Sequence, residues 1–169
     1  MEIKIRTGTL ADVEQFITLL QEVRQGMPHK EWLYLDPPEE VRQMMMDGTM
    51  ELWVAMDGDQ MAAAFDILHP GLASFNYGYD LELAELDLTR VVNMDTVAVR
   101  QPYRGMGLHK QLMQIVEEEL ACRGSQILLC TVHPENHFSL NNFLALGYSI
   151  ERKLQKYCAV RYILRKEIL

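Results

Sequence analysis

A strand-like run leads directly into a turn with two glycines and then into an amphipathic helix. The run RVVNMDTVAVR occupies residues 90–100 and is rich in valine, a β-branched residue that favours strands. The turn that follows contains Gly105 and Gly107, and apolar residues recur at helical spacing from Leu108 to Leu120. A strand that runs straight into a helix is typical of α/β folds, in which the helix packs back onto a sheet.

The start of this helix is a predicted anion site. Gly105 and Gly107 allow the backbone to approach a ligand closely, and the free N–H groups there lie at the positive end of the helix dipole. Arg104 and Lys110 add formal positive charge. A Walker A loop does not fit, because GxxxxGK[ST] is absent, and a dinucleotide fingerprint fails because Lys110 replaces its third glycine. Another kind of nucleotide-phosphate site and a plain tight turn both stay open on these residues alone.

The other elements are predicted from hydrophobic periodicity and turn residues. They are a strand at residues 3–6, a helix from Thr9 to about Gly26, a helix from Pro37 to Gly48, strands at 51–55 and 61–68 joined by Asp57-Gly58-Asp59, a strand at 126–132, a helix after Asn136 that Gly147 stops, and a closing antiparallel pair at 148–156 and 161–168. The middle strand, helix and strand predict a parallel pair with a right-handed crossover. We expect one α/β domain over residues 1–169, with a mixed, mostly antiparallel sheet and helices on both faces.

Composition narrows the classes of function. The chain has 169 residues, a formal charge of −8 and 49% hydrophobic residues, which is typical of one globular domain. The negative charge disfavours binding to nucleic acid or to anionic lipid, and no apolar run approaches the roughly 20 residues of a membrane span. The N-terminus alternates apolar and charged residues, unlike a signal peptide, so we expect a cytoplasmic protein with free thiols and no metal site.

The glycine turn resembles the acyl-CoA loop of the GCN5-related N-acetyltransferases, the GNAT family. The resemblance lies in YRGMGL at residues 103–108, preceded by VAV at residues 97–99. One departure is Pro102, which stands at the first position of the family's usual [QR]xxGx[GA] pattern. The segment from Ile5-Arg6 to Asp12 also fits the family's opening.

A second segment is similar to the family's N…A…Y…GF helix. It runs from VHPEN at residues 132–136 through Ser139 and Phe143 to LGY at residues 146–148. The matches follow one another in the family's order over most of the chain. They imply a GNAT-like fold, acetyl-CoA as cosubstrate, and a parallel strand pair that splays apart.

The resemblance assigns binding roles to individual residues. The backbones of Val97 and Val99 would bind the pantetheine arm in the gap between the splayed strands, and Asn136 would fix it from the other side while also capping its helix. The amides that would cradle the pyrophosphate, together with the two residues beside them, are those of Arg104, Gly105, Met106, Gly107, Leu108, His109 and Lys110.

The implied reaction is direct transfer of the acetyl group to a primary amine. The amide of Val99 is the family-like donor to the oxyanion. The candidate bases are Asp95, an acidic residue in an apolar strand that we expect to share a face with Val97 and Val99, and His133, which ends the neighbouring strand. The alternatives are a hydrogen bond at the strand edge or to a neighbouring strand for Asp95 and a turn role for His133.

The usual general acid is in doubt. Family members place a Tyr at the position of Phe143, which has no proton to give. Tyr148, Cys130 and His137 are weak substitutes that we interpret as structural. A non-catalytic acyl-CoA-binding sensor is therefore the alternative function.

Residues 70–88 suggest the nature of the acceptor. The segment carries two tyrosines and four acidic residues, namely Tyr77, Tyr79, Asp80, Glu82, Glu85 and Asp87. It is either a solvated loop or an acidic, aromatic-lined wall for a cationic amine. The expected partners are a small cationic molecule or a peptide as acceptor and a possible homodimer, with no nucleic acid and no membrane.

Overall fold

The computed structural model describes residues 1–124 and 126–169, with seven strands and five α-helices. The strands are β1 Ile3–Thr7, β2 Met50–Asp57, β3 Gln60–Leu68, β4 Val91–Val99, β5 Gln126–Val132, β6 Ser149–Lys156 and β7 Ala159–Ile168. The helices are α1 Val13–Gln25, α2 Pro38–Asp47, α3 Glu85–Leu88, α4 Leu108–Cys122 and α5 His137–Ala145. The predicted elements are confirmed, and the structure adds the short α3 within residues 70–88. No helix of the described ranges is long and apolar enough to cross a membrane.

One mixed sheet holds all seven strands in the order β1-β2-β3-β4-β5-β7-β6. Every neighbouring pair is antiparallel except β4 and β5, which are parallel and are joined through α4. The last two strands form the predicted antiparallel pair. Their order in the sheet differs from their order in the chain, because β7 lies between β5 and β6. This places β6 at one edge of the sheet.

Helices cover both faces of the sheet, as predicted. On one face, Leu112, Met113 and Val116 of α4 pack with Phe65 and Met94 in a fully buried cluster. On the other face, α1 packs over β3 and β4 and α2 over β2, and apolar residues of both helices join the second cluster. Between these two layers, the central strands bury side chains on both faces of the sheet.

The parallel pair separates as predicted. Strand β4 is in register with β5 only over Val91–Asn93, although β4 continues to Val99 beside β3 and β5 continues to Val132 beside β7. The gap opens at the carboxyl ends of these two strands, which is the edge where ligands bind in α/β sheets.

A β-bulge in β4 corrects one expectation. Asp66 lies opposite Thr96 and Ile67 lies opposite Met94, so Asp95 has no partner in β3. The extra residue interrupts the alternation of side chains, and Met94 and Val97 consequently contact the same apolar cluster. The expectation that Asp95 shares a face with Val97 and Val99 assumed an unbroken strand. The bulge breaks that alternation, although Asp95 lines the same cleft as Val97 and Val99.

Candidate active site

A cleft of about 650 Å³ lies at the open end of the parallel pair. Nine of the ten residues predicted to bind the cosubstrate line it, namely Val97, Val99, Arg104, Gly105, Gly107, Leu108, His109, Lys110 and Asn136. The tenth, Met106, lies outside the lining and is 42% exposed. The cleft thus brings together residues from β4, the glycine turn, α4 and α5.

The peptide groups of Val97 and Val99 face the gap. The Arg100 N–H donates to the Ala62 carbonyl at 2.8 Å, and in an antiparallel pair such bonds recur at every second residue. By this alternation Ala98 also bonds to β3, whereas the N–H and C=O groups of Val97 and Val99 point toward the gap. A ligand in the cleft can bond to them as an additional strand would.

The glycine turn adopts a conformation that suits glycine. Gly105 has φ +82° and Gly107 has φ +76°, a left-handed region that residues with a Cβ rarely adopt. Gly107 is the N-cap of α4, so the first amides of the helix have no partner within it. A fifteen-residue helix that points its N-terminus at the cleft favours an anionic ligand there.

His109 enters this cleft as a neutral ring. Its side chain lies edge-on to Phe138, with ring centroids 5.4 Å apart, and is only 7% exposed. Burial lowers its pKa to about 4. The formal positive charge near the turn therefore comes from Arg104 and Lys110. His109 forms part of the cleft wall without adding charge.

Helix α5 closes the opposite side of the cleft. The Asn136 side chain accepts a hydrogen bond from the Ser139 N–H at 3.4 Å and lines the cleft, so its predicted capping role coexists with a position beside the ligand. Phe143 also lines the cleft and packs edge-on against Tyr148 at 5.0 Å. At the position where the family usually has an acidic Tyr hydroxyl, the cleft is therefore lined by the apolar ring of Phe143.

The three substitute acids lie elsewhere. Tyr148, Cys130 and His137 do not line the cleft. Burial raises the pKa of both the Tyr148 hydroxyl and the Cys130 thiol well above their usual ranges. None of these three groups is placed to give a proton to a leaving sulfur.

A second cavity of about 250 Å³ adjoins the first at Asp95, which lines both. The Tyr77 hydroxyl donates to the Asp95 carboxylate at 3.0 Å, and the Tyr157 hydroxyl donates to that of Tyr77 at 3.2 Å. Burial raises the pKa of Asp95, while its hydrogen bonds, the one from Tyr77 foremost, oppose the rise. A carboxylate with a raised pKa between two cavities is suited to accept a proton.

Asp66 stands beside Asp95 in the interior. It is 1% exposed, and its Oδ1 atom has no hydrogen-bond partner in the part of the chain that the structure describes. Burial, together with the nearby charge of Asp95, raises the pKa of Asp66 well above its usual range. Burial and the charge of Asp95 both favour the protonated form of Asp66, so the two carboxyl groups influence each other.

Comparison with known proteins identifies the family to which this chain belongs. A model of the acetyltransferase (GNAT) family matches residues 17–148. The chain belongs to the GNAT acetyltransferase family. Among curated proteins, no sequence matches this GNAT chain.

Solved structures agree with the family on the fold. The acetyltransferase of GNAT family from Streptococcus pneumoniae is 16% identical, with a TM-score of 0.75 and 99% of each chain covered. The ribosomal-protein-S18-alanine N-acetyltransferase from Escherichia coli is 14% identical, with a TM-score of 0.73 and coverage of 99% of this chain and 94% of that one. The yncA protein from Salmonella typhimurium, solved with its cofactor acetyl-CoA, is 12% identical, with a TM-score of 0.73 and coverage of 99% and 95%.

His133, the second candidate base of this GNAT protein, has a structural role in a turn. His133 Nδ1 accepts a hydrogen bond from the Glu135 N–H at 3.1 Å, and its ring stacks on Trp32 with centroids 6.0 Å apart. His133 lines neither cavity. Between the two candidates, the geometry favours Asp95.

The acidic residues of segment 70–88 do not form a wall of either cavity. Asp80 forms an ion pair with Lys156 at 2.9 Å, and Asp87 pairs with Arg90 at 3.1 Å. Glu82 and Glu85 also lie outside both linings. From this segment, the second cavity is lined by Phe75 and Tyr77. The expected acidic wall at residues 80–87 is therefore wrong.

Besides Asp95, the second cavity has two carboxylates, one from the segment before α2 and one from the first turn of α2. Asp36 and Glu40 line the cavity, as do Tyr34 and Tyr157, whose rings stack with centroids 4.2 Å apart. Sequence reasoning missed all four residues. Acidic residues in the first turn of a helix usually act on its dipole, and nothing in the pattern indicates that this segment crosses the sheet.

Arg161 holds that segment in place. Its side chain is 3% exposed, and the guanidinium donates to the carbonyl oxygens of Glu31 at 2.6 Å and Trp32 at 2.9 Å. These bonds tie β7 to the chain between α1 and α2. The segment that carries Tyr34 and Asp36 is thereby fixed over the end of β4.

Asp36 should destabilise the fold at neutral pH. Burial first, then the charges of Asp95 and Glu40, raise its pKa from 3.8 to about 6. A carboxyl group with a higher pKa in the folded than in the unfolded protein destabilises the fold when it is ionised. The effect is complete when the pH is above the folded pKa and disappears when the pH is below the unfolded pKa. We expect Asp36→Asn to raise the free energy of unfolding by about 1–2 kcal/mol at about pH 8 and by almost nothing at about pH 3. Urea unfolding at both pH values measures this, with the exposed Glu39→Gln as control.

An equal gain at both pH values would contradict the argument, because a packing effect does not titrate. A loss of stability at pH 8 would show that the Asp36 carboxylate makes a favourable contact in the fold.

Proposed function

We propose that this protein is an acetyl-CoA-dependent N-acetyltransferase that transfers the acetyl group directly to a primary amine carrying positive charge. The observation that carries the proposal is the position of Asp95 at the junction of two cavities. One cavity has the chemistry of a CoA site, and the other is acidic and aromatic. A group that faces both can act where acetyl donor and acceptor meet.

The chain's residues fit acetyl-CoA in the larger cleft. The outward peptide groups of Val97 and Val99 suit the amides of the pantetheine arm, and the amides at Gly105–Lys110 suit the pyrophosphate. Acetyl-CoA supplies a thioester whose carbonyl carbon is open to attack. The Val99 N–H can donate to the carbonyl oxygen as negative charge develops on it.

Asp95 would prepare the acceptor. An ammonium cannot attack until it loses a proton, and Asp95 is the carboxylate at the junction that can take it. The amine nitrogen then bonds to the acetyl carbon as the carbon–sulfur bond breaks. The sulfur leaves as thiolate, which a thiol of pKa about 8.5 tolerates. The nitrogen of the new amide loses its second proton to solvent, and Asp95 then releases the first one to solvent as well.

The smaller cavity, which we call the acceptor pocket, favours a cationic acceptor. Its charged lining groups are the carboxyl groups of Asp36, Glu40 and Asp95. Aromatic faces add cation–π attraction worth about 0.5–2 kcal/mol. The E. coli relative acts on an alanine of a ribosomal protein, as its name states, so a peptide N-terminus is the competing acceptor.

Release of CoA thiol, followed with a thiol-reactive dye, tests this proposal. The purified protein should release thiol from acetyl-CoA when small cationic amines are added, and mass spectrometry should find the acetylated amine. Peptides with a free N-terminal alanine form the comparison panel. Binding of acetyl-CoA without thiol release on any amine or peptide would favour the alternative, a non-catalytic acyl-CoA-binding sensor, for which the proton-free Phe143 is the supporting observation.

Phe143 gives a separate prediction. If the leaving sulfur needs no acid, Phe143→Tyr should change kcat by less than about tenfold, whereas a required general acid contributes about 10²–10⁴-fold. Steady-state thiol release measures kcat, and the melting temperature checks that the added hydroxyl is accommodated. A rise of a hundredfold or more would show that the native enzyme lacks an acid that its reaction needs.

A further inference from the structure

The end of the acceptor pocket away from the cleft has two carboxylates that nothing in the fold neutralises. Asp36 is half-buried, and Glu40 is exposed in the first turn of α2. Within residues 1–124 and 126–169, neither side chain has a hydrogen bond or an ion pair. Both line the acceptor pocket.

The pocket as a whole has more negative charge than one ammonium can match. Its lining contains Asp36, Glu40 and Asp95 and no Lys, Arg or His. A half-buried carboxylate without a partner, such as that of Asp36, costs free energy. A cation bound between Asp36 and the exposed Glu40 would offset that cost.

The walls between these charges suit an organic cation. Met44 and Leu68 provide apolar surface for methylene groups, and Tyr34, Tyr77 and Tyr157 provide aromatic faces. The chain already places an ammonium against two of these rings, because the Lys156 Nζ atom lies 5.4 Å from the centroids of both Tyr77 and Tyr157. Lys156 itself is paired with Asp80, outside the lining of the pocket.

We infer that the acceptor is a short aliphatic diamine, whose reacting nitrogen lies at Asp95 and whose second ammonium is held between Asp36 and Glu40. This inference rests on the proposed function and names the substrate class of the same site. The pocket volume of about 250 Å³ is below the range of drug-sized sites, which fits a chain of a few methylene groups. The second ammonium supplies the charge that Asp36 and Glu40 lack.

The test compares 1,4-diaminobutane with 1-aminobutane, which has the same chain and reacting group without the second ammonium. Thiol release at saturating acetyl-CoA should give a kcat/KM about 10–100-fold higher for the diamine, the effect expected of a charge-assisted hydrogen bond. The double variant Asp36→Asn, Glu40→Gln should remove most of that preference and affect 1-aminobutane far less. Glu39→Gln, an exposed neighbour outside the pocket, is the matched charge control and should keep the preference.

Binding gives a readout that does not depend on turnover. Calorimetric titration of the CoA-loaded protein should show 1,4-diaminobutane binding at least tenfold more tightly than 1-aminobutane, and the double variant should bind both weakly.

The outcomes separate the two proposals. Equal kcat/KM and equal affinity for the two amines, or a double variant that keeps the diamine preference, would overturn the diamine inference while leaving amine acetylation intact. A peptide N-terminus preferred over both amines would also overturn it. If no amine and no peptide causes release of CoA thiol, the proposed function itself is overturned.

Discussion

Replacing Asp95 by Asn should lower kcat/KM for the acceptor amine by about 10²–10⁴-fold and leave the Kd of acetyl-CoA within about twofold. The amide keeps the shape of the side chain and can still bond to the Tyr77 hydroxyl, but it cannot take a proton from the ammonium. Steady-state thiol release measures the first quantity, and fluorescence or calorimetric titration measures the second. Asp59→Asn, in the turn between β2 and β3, is the matched control and should change neither.

The pH profile makes this prediction more specific. Because burial raises the pKa of Asp95, the acidic limb of kcat/KM should lie above the pH at which an ordinary carboxyl titrates. The base must be ionised to act, so the rate should fall as the pH drops through that raised pKa. The Asn variant should lose this limb. A variant that keeps both its rate and its acidic limb would exclude Asp95 as the base.

Replacing Gly107 by Glu should weaken acetyl-CoA binding by a hundredfold or more. Gly107 has φ +76° at the N-cap of α4, so any side chain strains the turn, and a carboxylate there meets the phosphates with like charge. Juxtaposed like charges cost several kcal/mol at an interface. Calorimetric titration with acetyl-CoA measures the loss.

Gly48→Glu controls for strain without touching the cleft. Gly48 follows α2 with φ 80° and ψ 7°, close to the φ 76° and ψ 11° of Gly107. A Cβ at Gly48 meets nothing within 4 Å, and one at Gly107 meets only the Gln111 amide at 3.6 Å. The two variants should lose similar stability, but only the one at Gly107 should lose acetyl-CoA binding. If Gly107→Glu stays folded and binds acetyl-CoA normally, the phosphate site lies elsewhere.

Local patterns were enough to predict the secondary structure and the binding turn. Gly48 and Gly147 end their helices as expected, with φ values of +80° and +93°. Gly105 and Gly107 adopt the left-handed conformation that a close approach to a ligand requires. These features depend on the backbone preferences of individual residues and on hydrophobic spacing, which act over a few positions and can be read along the chain.

The acceptor side could not be predicted in the same way. Asp80 looks like part of an acidic wall in the sequence, but β6 brings Lys156 to it as an ion-pair partner. That position of β6 depends on β7 lying between β5 and β6, an arrangement that no local pattern specifies. In the sequence, Asp36 is an ordinary residue that precedes a helix. In the structure, the hydrogen bonds of Arg161 hold the segment of Asp36 over the sheet.

The sequence by itself determined the family, the order of elements and the residues at the CoA cleft, because those depend on contiguous motifs. The tertiary structure decided where the acceptor pocket lies and which carboxylates form it. The bulge at Asp95 is one example: it leaves Asp95 without a partner in β3, at a position that lines both cavities. The positions of charged residues along a chain do not show which groups they will contact after folding. Asp36, Glu40 and Asp95 line one cavity only because the fold brings distant strands and loops together.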